Sequence, residues 1–157
     1  MAYQSFYDLN AWKLARRFKI KVYEVVKKFP VEEKFDLAGQ LRRAARSVPA
    51  NIAEGHGRKT PKDEIRFCIT ARGSLAETLN HLIDAFDCGY IDKEALAEIK
   101  SEWDELRRTL LGYIAYLQTK LPSPDTSTGS TVLEDAISYA AEYIEEEDVE
   151  RFIQNLQ

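Results

Sequence analysis

The chain has 157 residues, 45% of them apolar and 31% charged, a length and composition that suit one globular domain with its own hydrophobic core. Its net charge of −4 conceals an asymmetry, because residues 1–72 hold 16 Lys and Arg against 8 Asp and Glu, whereas residues 122–157 hold 1 against 9. No apolar run approaches the ~18 residues of a membrane helix and no signal peptide is evident, so we expect no membrane partner. The two cysteines exclude a disulfide framework, and we therefore expect a cytoplasmic protein.

The first two predicted helices follow from apolar residues that recur at helical spacing. We expect the first helix over about residues 9–29, with Asp8 as its N-cap. The second is expected over about residues 36–54, with Gly55 as its stop. A proline inside the second helix, Pro49, removes a backbone donor and should bend the helix axis.

The third and fourth predicted helices carry clear signals at both ends. Thr60 precedes the third as an N-cap and Gly89 follows it as a C′ glycine, which makes this helix about 40 Å long. The fourth starts after Asp92 and ends at Leu121, which precedes a proline. Its apolar seam steps by three and four residues, as in a helix packed lengthwise in a bundle: Leu96, Ile99, Trp103, Leu106, Leu110, Tyr113 and Leu117.

These elements predict an all-α fold, an antiparallel up-down four-helix bundle over residues 1–121. We expect a polar linker over residues 122–131 and an acidic helical tail over residues 132–157. One hypothesis for the tail is that it docks on the basic half of the chain and masks it. Three glycines lie inside predicted helices, where we expect a neighbouring helix to approach closely: Gly39, Gly73 and Gly112.

Two blocks of the sequence resemble a known protein family. They read SVPANIAEGHGR at residues 47–58 and ARGSLAE at residues 71–77. Over about residues 6–121 the chain resembles the small proteins encoded by intervening sequences in bacterial 23S ribosomal RNA genes. The resemblance implies an up-down bundle that assembles as a ring-like homopentamer. The accessory protein of diversity-generating retroelements shares this architecture and binds nucleic acid and a reverse transcriptase, so fold analogy implies partners of these kinds.

A cluster of cations is the best candidate for binding RNA or DNA. Clustered cations bind backbone phosphates without sequence preference, and their affinity falls as salt rises. The alternative is a solvated or subunit-bridging face, on which arginines pair with acids such as Glu54, Glu64 and Glu77. The candidate residues are Arg42, Arg43, Arg46, Arg58, Lys59, Lys62, Arg66 and Arg72.

Polar residues in and between the two family blocks form a second candidate group. Asn51 and Glu54 lie three residues apart, as do Ser74 and Glu77, so each pair shares a helix face. Buried polar groups need hydrogen-bond partners, which favours a structural network that fixes the register of the bundle or a subunit contact. A pocket for a small ligand is the alternative.

Catalytic and metal sites find little support in the sequence. His56 would need an activated nucleophile for catalysis, and the serines of the two blocks lack such a context. Glu77, His81 and Asp84 share a helix face that could ligate a metal, but the fourth helix offers no histidine to complete a dimetal site. We therefore expect no enzymatic activity, no metal and no cofactor.

The sequence thus favours a non-enzymatic oligomer that binds the nucleic-acid backbone through its cations. A structural scaffold or protein–protein adaptor without a nucleic-acid role is the alternative, and a ligand-binding bundle is a third hypothesis. Failure to bind structured RNA at low salt would eliminate the first hypothesis, because backbone binding is strongest there.

Overall fold

Four long helices make up most of the described chain. The computed structural model describes residues 5–122, 152 and 154–156. The helices are α1 (Asn10–Val26), α2 (Leu37–Gly57), α3 (Pro61–Asp87) and α4 (Lys93–Gln118). Each helix packs against two others, in the cyclic order α1, α2, α3, α4, and the described residues contain no strand. The predicted all-α four-helix bundle is therefore confirmed.

The hydrophobic core is formed by inward-facing side chains of all four helices. Phe18, Leu41, Leu75 and Leu106 each expose at most 1% of their surface. Burial of one such side chain contributes about 1.5–3 kcal/mol, so the shared core is the main source of stability. The opposite face of each helix is left for charged side chains, and these determine what the bundle can bind.

The ends of α3 and α4 are held by the local contacts that the sequence predicts. Thr60 is the N-cap of α3, where its hydroxyl oxygen accepts a hydrogen bond from the Asp63 backbone N–H at 3.2 Å. The Asp92 carboxylate accepts from the Ala95 N–H at 2.8 Å at the start of α4. Gly89 follows α3 with a φ of 73°, a left-handed conformation that suits glycine at C′. The predicted N-cap at Thr60, the predicted C′ glycine at Gly89 and the predicted start of the fourth helix after Asp92 are confirmed.

The start of α1 differs from the prediction. Leu9 is the N-cap of α1, whereas Asp8 belongs to a short 3₁₀ turn, Phe6–Asp8, that precedes the helix. The reason is local competition, because the Asp8 carboxylate accepts a hydrogen bond from the Ser5 N–H at 3.0 Å and so caps the turn instead. The helix also ends at Val26, three residues earlier than expected. A second 3₁₀ turn, Val31–Phe35, then leads into α2.

The prediction that α2 stops at Gly55 is wrong. The helix continues to Gly57, and Gly55 is a buried residue inside its last turn. A Cβ atom on Gly55 would lie 2.7 Å from the Phe67 Cβ and 3.2 Å from the Glu64 carbonyl oxygen of α3. The glycine therefore permits a close approach between α2 and α3.

The close approaches expected at the three glycines inside helices are largely absent. A Cβ on Gly73 or Gly112 would meet no atom within 4 Å, so the prediction is wrong at both positions. At Gly39 the nearest atom is the Lys34 carbonyl oxygen at 3.2 Å, which belongs to the preceding 3₁₀ turn and not to a neighbouring helix. The helix-to-helix approach occurs at Gly55 instead.

The predicted linker and acidic tail lie outside the described residues, apart from residues 122, 152 and 154–156. Phe152 and Leu156 are partly buried and pack against the core. The Phe152 ring lies 4.9 Å from the Lys100 Nζ on α4. Within the described residues, none of the helices is both long and apolar enough to cross a membrane.

The two thiols should differ sharply in reactivity. Cys68 is fully buried on α3, and burial together with the nearby Glu64 carboxylate raises its pKa to about 12. Cys88, at the end of α3, is exposed. Because the thiolate is the reactive species, Ellman's reagent should titrate one thiol in the native protein, two after unfolding, and none in native Cys88→Ser protein. Two fast thiols in the native state would contradict the burial of Cys68.

Candidate nucleic-acid interface

Three arginines lie within little more than one turn on the outer side of α2. We call Arg42, Arg43 and Arg46 the α2 arginine face. Their neighbours Leu41 and Ala45 are fully buried, which turns the arginines away from the core, with Arg43 and Arg46 exposed. Among the described residues, no ion pair involves these three side chains. The face therefore presents positive charge that no described carboxylate neutralises.

The cations of α1 are arranged differently. The Arg17 side chain pairs with two carboxylates of α4, those of Glu102 and Glu105, with its Nε 3.7 Å from a Glu102 oxygen. Lys21 pairs with Glu98 on the same helix. These carboxylates partly neutralise the basic surface of α1. Composition counts the cations of α1 and α2 together, so it does not distinguish cations that are in ion pairs from those that are not.

The remaining members of the predicted basic cluster fall into separate places. Arg58 is 2.7 Å from Glu54, and Arg66 is 3.5 Å from Asp63. Both guanidinium groups lie 5.3 Å from the centre of the Phe67 ring, so they bracket this side chain. Such exposed ion pairs contribute about 0–1 kcal/mol each and leave both arginines able to exchange partners.

Two lysines and one arginine complete the predicted set. Lys59 and Lys62 are exposed around the connection between α2 and α3. Arg72 is half-buried on α3, where it lines a groove of about 280 Å³ together with Trp103 and Arg107 of α4. Arg72 thus belongs to the α3–α4 groove, whereas Arg58, Lys59, Lys62 and Arg66 surround the α2–α3 connection.

The polar residues of the family blocks form a small network between α2 and α3. The Ser47 and Ser74 hydroxyl oxygens are 2.8 Å apart and join the two helices. The Asn51 side-chain amide donates to the Ser47 carbonyl and hydroxyl oxygens at 2.8 and 2.9 Å, and the Thr78 hydroxyl donates to the Ser74 carbonyl at 2.8 Å. Glu54 lies outside this network, in its ion pair with Arg58. This arrangement is the one expected of a polar contact that sets the alignment of α2 and α3 along their axes.

The candidate metal cluster on α3 places two carboxylates beside one histidine. His81 Nε2 lies 3.5 Å from a Glu77 oxygen, and Nδ1 lies 3.3 Å from an Asp84 oxygen. Glu77 therefore also lies outside the serine–asparagine network. The part of the chain that the structure describes holds no group of three or more side chains placed to hold a metal ion.

A buried carboxylate at one end of the bundle is a feature that sequence reasoning missed. Glu64 is buried in the first turn of α3, where one of its oxygens accepts a hydrogen bond from the Tyr113 hydroxyl at 2.5 Å and lies 2.9 Å from His56 Nδ1. Burial and the Glu64 hydrogen bond together raise the pKa of Tyr113. Glu64 lies on the same face of α3 as the buried Cys68 and Ala71. An acid in line with apolar residues at helical spacing was therefore the sequence signal that could have indicated its burial.

A buried ion pair on α4 is a second feature that sequence reasoning missed. Lys100 is fully buried, and its Nζ lies 2.9 and 2.8 Å from the two carboxylate oxygens of Asp104. The Nζ also lies 5.0 Å from the Trp103 ring. Lys100 is therefore an internal cation and contributes little to the charge available for nucleic acid.

Comparison with known proteins covers the part of the chain that carries these groups. A family model described as 23S rRNA-intervening sequence protein matches residues 7–112, which is more than half of the chain. The matched stretch includes the α2 arginine face, the serine–asparagine network and Glu64, and it ends just before Tyr113. No curated protein matches the chain.

Proposed function

The chain belongs to the family of 23S rRNA-intervening sequence proteins, and we propose that it is a non-enzymatic oligomer that binds the backbone of RNA or DNA through the α2 arginine face. The observation that carries this proposal is the contrast between two helices. Arg42, Arg43 and Arg46 of α2 have no ion-pair partner among the described residues, whereas two of the five Lys and Arg residues of α1, Arg17 and Lys21, are paired with carboxylates of α4. Only cations that are not already neutralised can replace the counterions of a phosphate chain efficiently.

The chemistry of the α2 arginine face suits phosphate better than base edges. Guanidinium groups bind phosphate oxygens with two parallel hydrogen bonds, and a row of them follows a charged backbone without reading its sequence. Arg58 directly follows the same helix, about 18 Å from Arg46 along its axis at 1.5 Å per residue, whereas Lys62 and Arg66 belong to the start of α3. These cations add positive charge around the end of α2.

Assembly into a ring, which the family resemblance implies, would repeat the α2 arginine face on every subunit. Exposed apolar side chains on the described surface support self-association, because Ile20 of α1 is 42% exposed and Ile69 of α3 is 46% exposed. Repetition of a weak phosphate site raises the overall affinity through effective concentration. The mass of the assembly, measured by light scattering, tests the oligomer part of the proposal independently of binding.

A salt-titrated binding assay with fluorescent structured RNA tests the proposed function. We expect binding at low salt, a linear fall of log affinity with log salt, and similar affinity for two unrelated RNA sequences, because the contacts are to the backbone. Absence of binding at low salt would overturn the proposal. A strong preference for one sequence would also contradict it, since backbone contacts carry no sequence information.

A protein-binding scaffold or adaptor is the second candidate. Val31 and Phe35 are 83% and 86% exposed on the 3₁₀ turn between α1 and α2, so these apolar side chains bury little of their surface in the described structure. The retroelement accessory protein, to which the chain is related by fold analogy, binds a reverse transcriptase, and that enzyme class is one partner of the expected kind. If Phe35→Ser leaves RNA binding intact, the apolar turn and the α2 arginine face serve different partners.

A further inference from the structure

An open cleft lies at the end of the bundle where the start of α1, the end of α2, the start of α3 and the end of α4 meet. Its volume is about 510 Å³. The lining includes Leu9, His56, Lys59, Tyr113, Tyr116 and Lys120. We call this space the end cleft. It lies beyond the α2 arginine face and shares one residue, Lys59, with the cations around the α2–α3 connection.

The floor of the end cleft is rigidly built. Glu64 lines the cleft and is buried, and a single one of its oxygens contacts both the Tyr113 hydroxyl and His56 Nδ1. An ionised carboxylate only accepts hydrogen bonds, so Tyr113 and His56 both donate to it. These two contacts to one Glu64 oxygen join α2, α3 and α4 at the floor of the cleft.

The rim of the end cleft combines an aromatic face with cations. The Tyr116 side chain is 55% exposed, and its ring is stacked with that of Tyr113 at a centroid distance of 6.3 Å and an interplanar angle of 19°. The Lys120 Nζ lies 4.9 Å from the centre of the Tyr116 ring. Lys59, in the α2–α3 connection, also lines the cleft. The exposed ring and two lysines from different elements thus line the same cleft.

The backbone at Lys59 carries conformational strain. Its φ is 60°, and it is the one residue other than glycine with a positive φ among the described residues. A lysine in the left-handed region is less favourable than glycine or asparagine there. Lys59 is the C′ residue of α2, where a left-handed conformation ends many helices and glycine is the usual residue.

We propose that the end cleft binds a nucleoside phosphate unit, with the base stacked on the Tyr116 ring and the phosphate held by Lys59 and Lys120. Stacking on an exposed aromatic ring accepts any base, and lysine ammonium groups bind phosphate as point charges. The volume of the cleft is in the range of small-ligand sites. A free mononucleotide and one nucleotide of a single-stranded nucleic acid both present a base and a phosphate to such a cleft.

Calorimetric titration of the full chain with four probes at low salt tests this proposal. The probes are AMP, adenosine, ribose 5-phosphate and a tetra-adenylate strand. We expect AMP to bind more tightly than either adenosine or ribose 5-phosphate, because only AMP engages both the ring and the lysines. Tighter binding of the strand than of AMP identifies single-stranded nucleic acid as the source, and equal or weaker binding identifies the free nucleotide. Equal affinity for ribose 5-phosphate and AMP, or no binding of any probe, would overturn the proposal.

Substitutions at two exposed residues, Tyr116 and Lys59, assign the roles within the end cleft. Tyr116→Ala should weaken AMP binding by about 5- to 150-fold, the loss of one base–ring stack, whereas Tyr116→Phe should retain it. Lys59→Gly should weaken binding of AMP but not of adenosine, while the melting temperature stays the same or rises because strain is relieved. AMP affinities of Tyr116→Ala and Lys59→Gly equal to that of the unaltered chain would refute the site.

A variant of the α2 arginine face separates this proposal from the proposed function. The chain with Arg42→Gln, Arg43→Gln and Arg46→Gln should bind AMP as tightly as the unaltered chain, since these residues do not line the end cleft. Loss of AMP binding in that variant would show that AMP occupies the α2 arginine face, and it would overturn the assignment to the end cleft.

Discussion

Replacement of Asp104 by alanine should lower the free energy of unfolding by about 3–5 kcal/mol, the largest effect that we expect from any single substitution in this bundle. The reason is the burial of its partner. Lys100 exposes none of its surface and has Asp104 as its carboxylate partner at 2.8 Å. Removal of the carboxylate takes the opposite charge of this ion pair away from an ammonium group that has no access to bulk water. Urea denaturation monitored by circular dichroism measures the change.

A double substitution is the matched control for the Lys100–Asp104 pair. Lys100→Met combined with Asp104→Leu removes both charges and retains apolar volume, so it should be close to neutral or stabilise the protein. The Trp103 and Phe152 rings, which lie 5.0 and 4.9 Å from the Lys100 Nζ, then pack against a methionine side chain instead. A double variant as unstable as Asp104→Ala would show that the loss reflects packing and not an uncompensated charge.

Replacement of Gly55 by alanine should destabilise the protein by about 1–3 kcal/mol, even though alanine is the better helix former. The added Cβ would lie 2.7 Å from the Phe67 Cβ, which is closer than real Cβ atoms come, and 3.2 Å from the Glu64 carbonyl oxygen. Neither atom belongs to the flexible end of a side chain. Relief of the overlap therefore requires α2 and α3 to move apart.

Gly73→Ala is the control for the Gly55 substitution. Gly73 also lies inside a helix, but a Cβ there would meet nothing within 4 Å. Alanine at this position should raise the free energy of unfolding by about 0.5–1 kcal/mol, because it reduces the conformational freedom of the unfolded chain. The two Gly→Ala substitutions should thus shift the melting temperature in opposite directions. A shift of the same sign in both would contradict the close approach at Gly55.

The parts of the fold that the sequence predicted are those that depend on contacts within a few residues. The caps at Thr60 and Asp92 involve a side chain and a backbone N–H three residues away, so their patterns are legible in a single chain. Gly55 was misread because its low helix propensity is visible in the sequence, whereas the proximity of Phe67 arises only once α2 and α3 pack together. Tertiary packing overrides propensity at this position.

The same distinction between local contacts and contacts that arise from packing applies to the candidate sites. The α2 arginine face follows directly from helical spacing, since Arg42 and Arg46 are one turn apart on the side opposite the buried residues. The Glu64 group was missed because its partners lie 8 and 49 residues away along the chain. Their spacing along the sequence does not indicate that His56, Glu64 and Tyr113 are in contact. Only the antiparallel course of the helices places them at one end of the bundle.

The salt dependence of RNA binding by two charge-matched triple variants tests the proposed function most directly. The first variant carries Arg42→Gln, Arg43→Gln and Arg46→Gln, which removes the α2 arginine face. The second removes the same number of charges from α1 and its C-cap, through Arg17→Gln, Lys21→Gln and Lys27→Gln, at cations that are in ion pairs with carboxylates. The two variants therefore have equal net charge and differ in which helix carries the substitutions.

We predict that the α1 variant binds structured RNA much like the unaltered chain, with the same slope of log affinity against log salt. The α2 variant should bind more weakly to all sequences, and its slope should become shallower by roughly 1 for each phosphate that the removed arginines would have neutralised. An α2 variant that retains the affinity and slope of the unaltered chain, or an equal reduction of affinity in both variants, would contradict the assignment of nucleic-acid binding to the α2 arginine face.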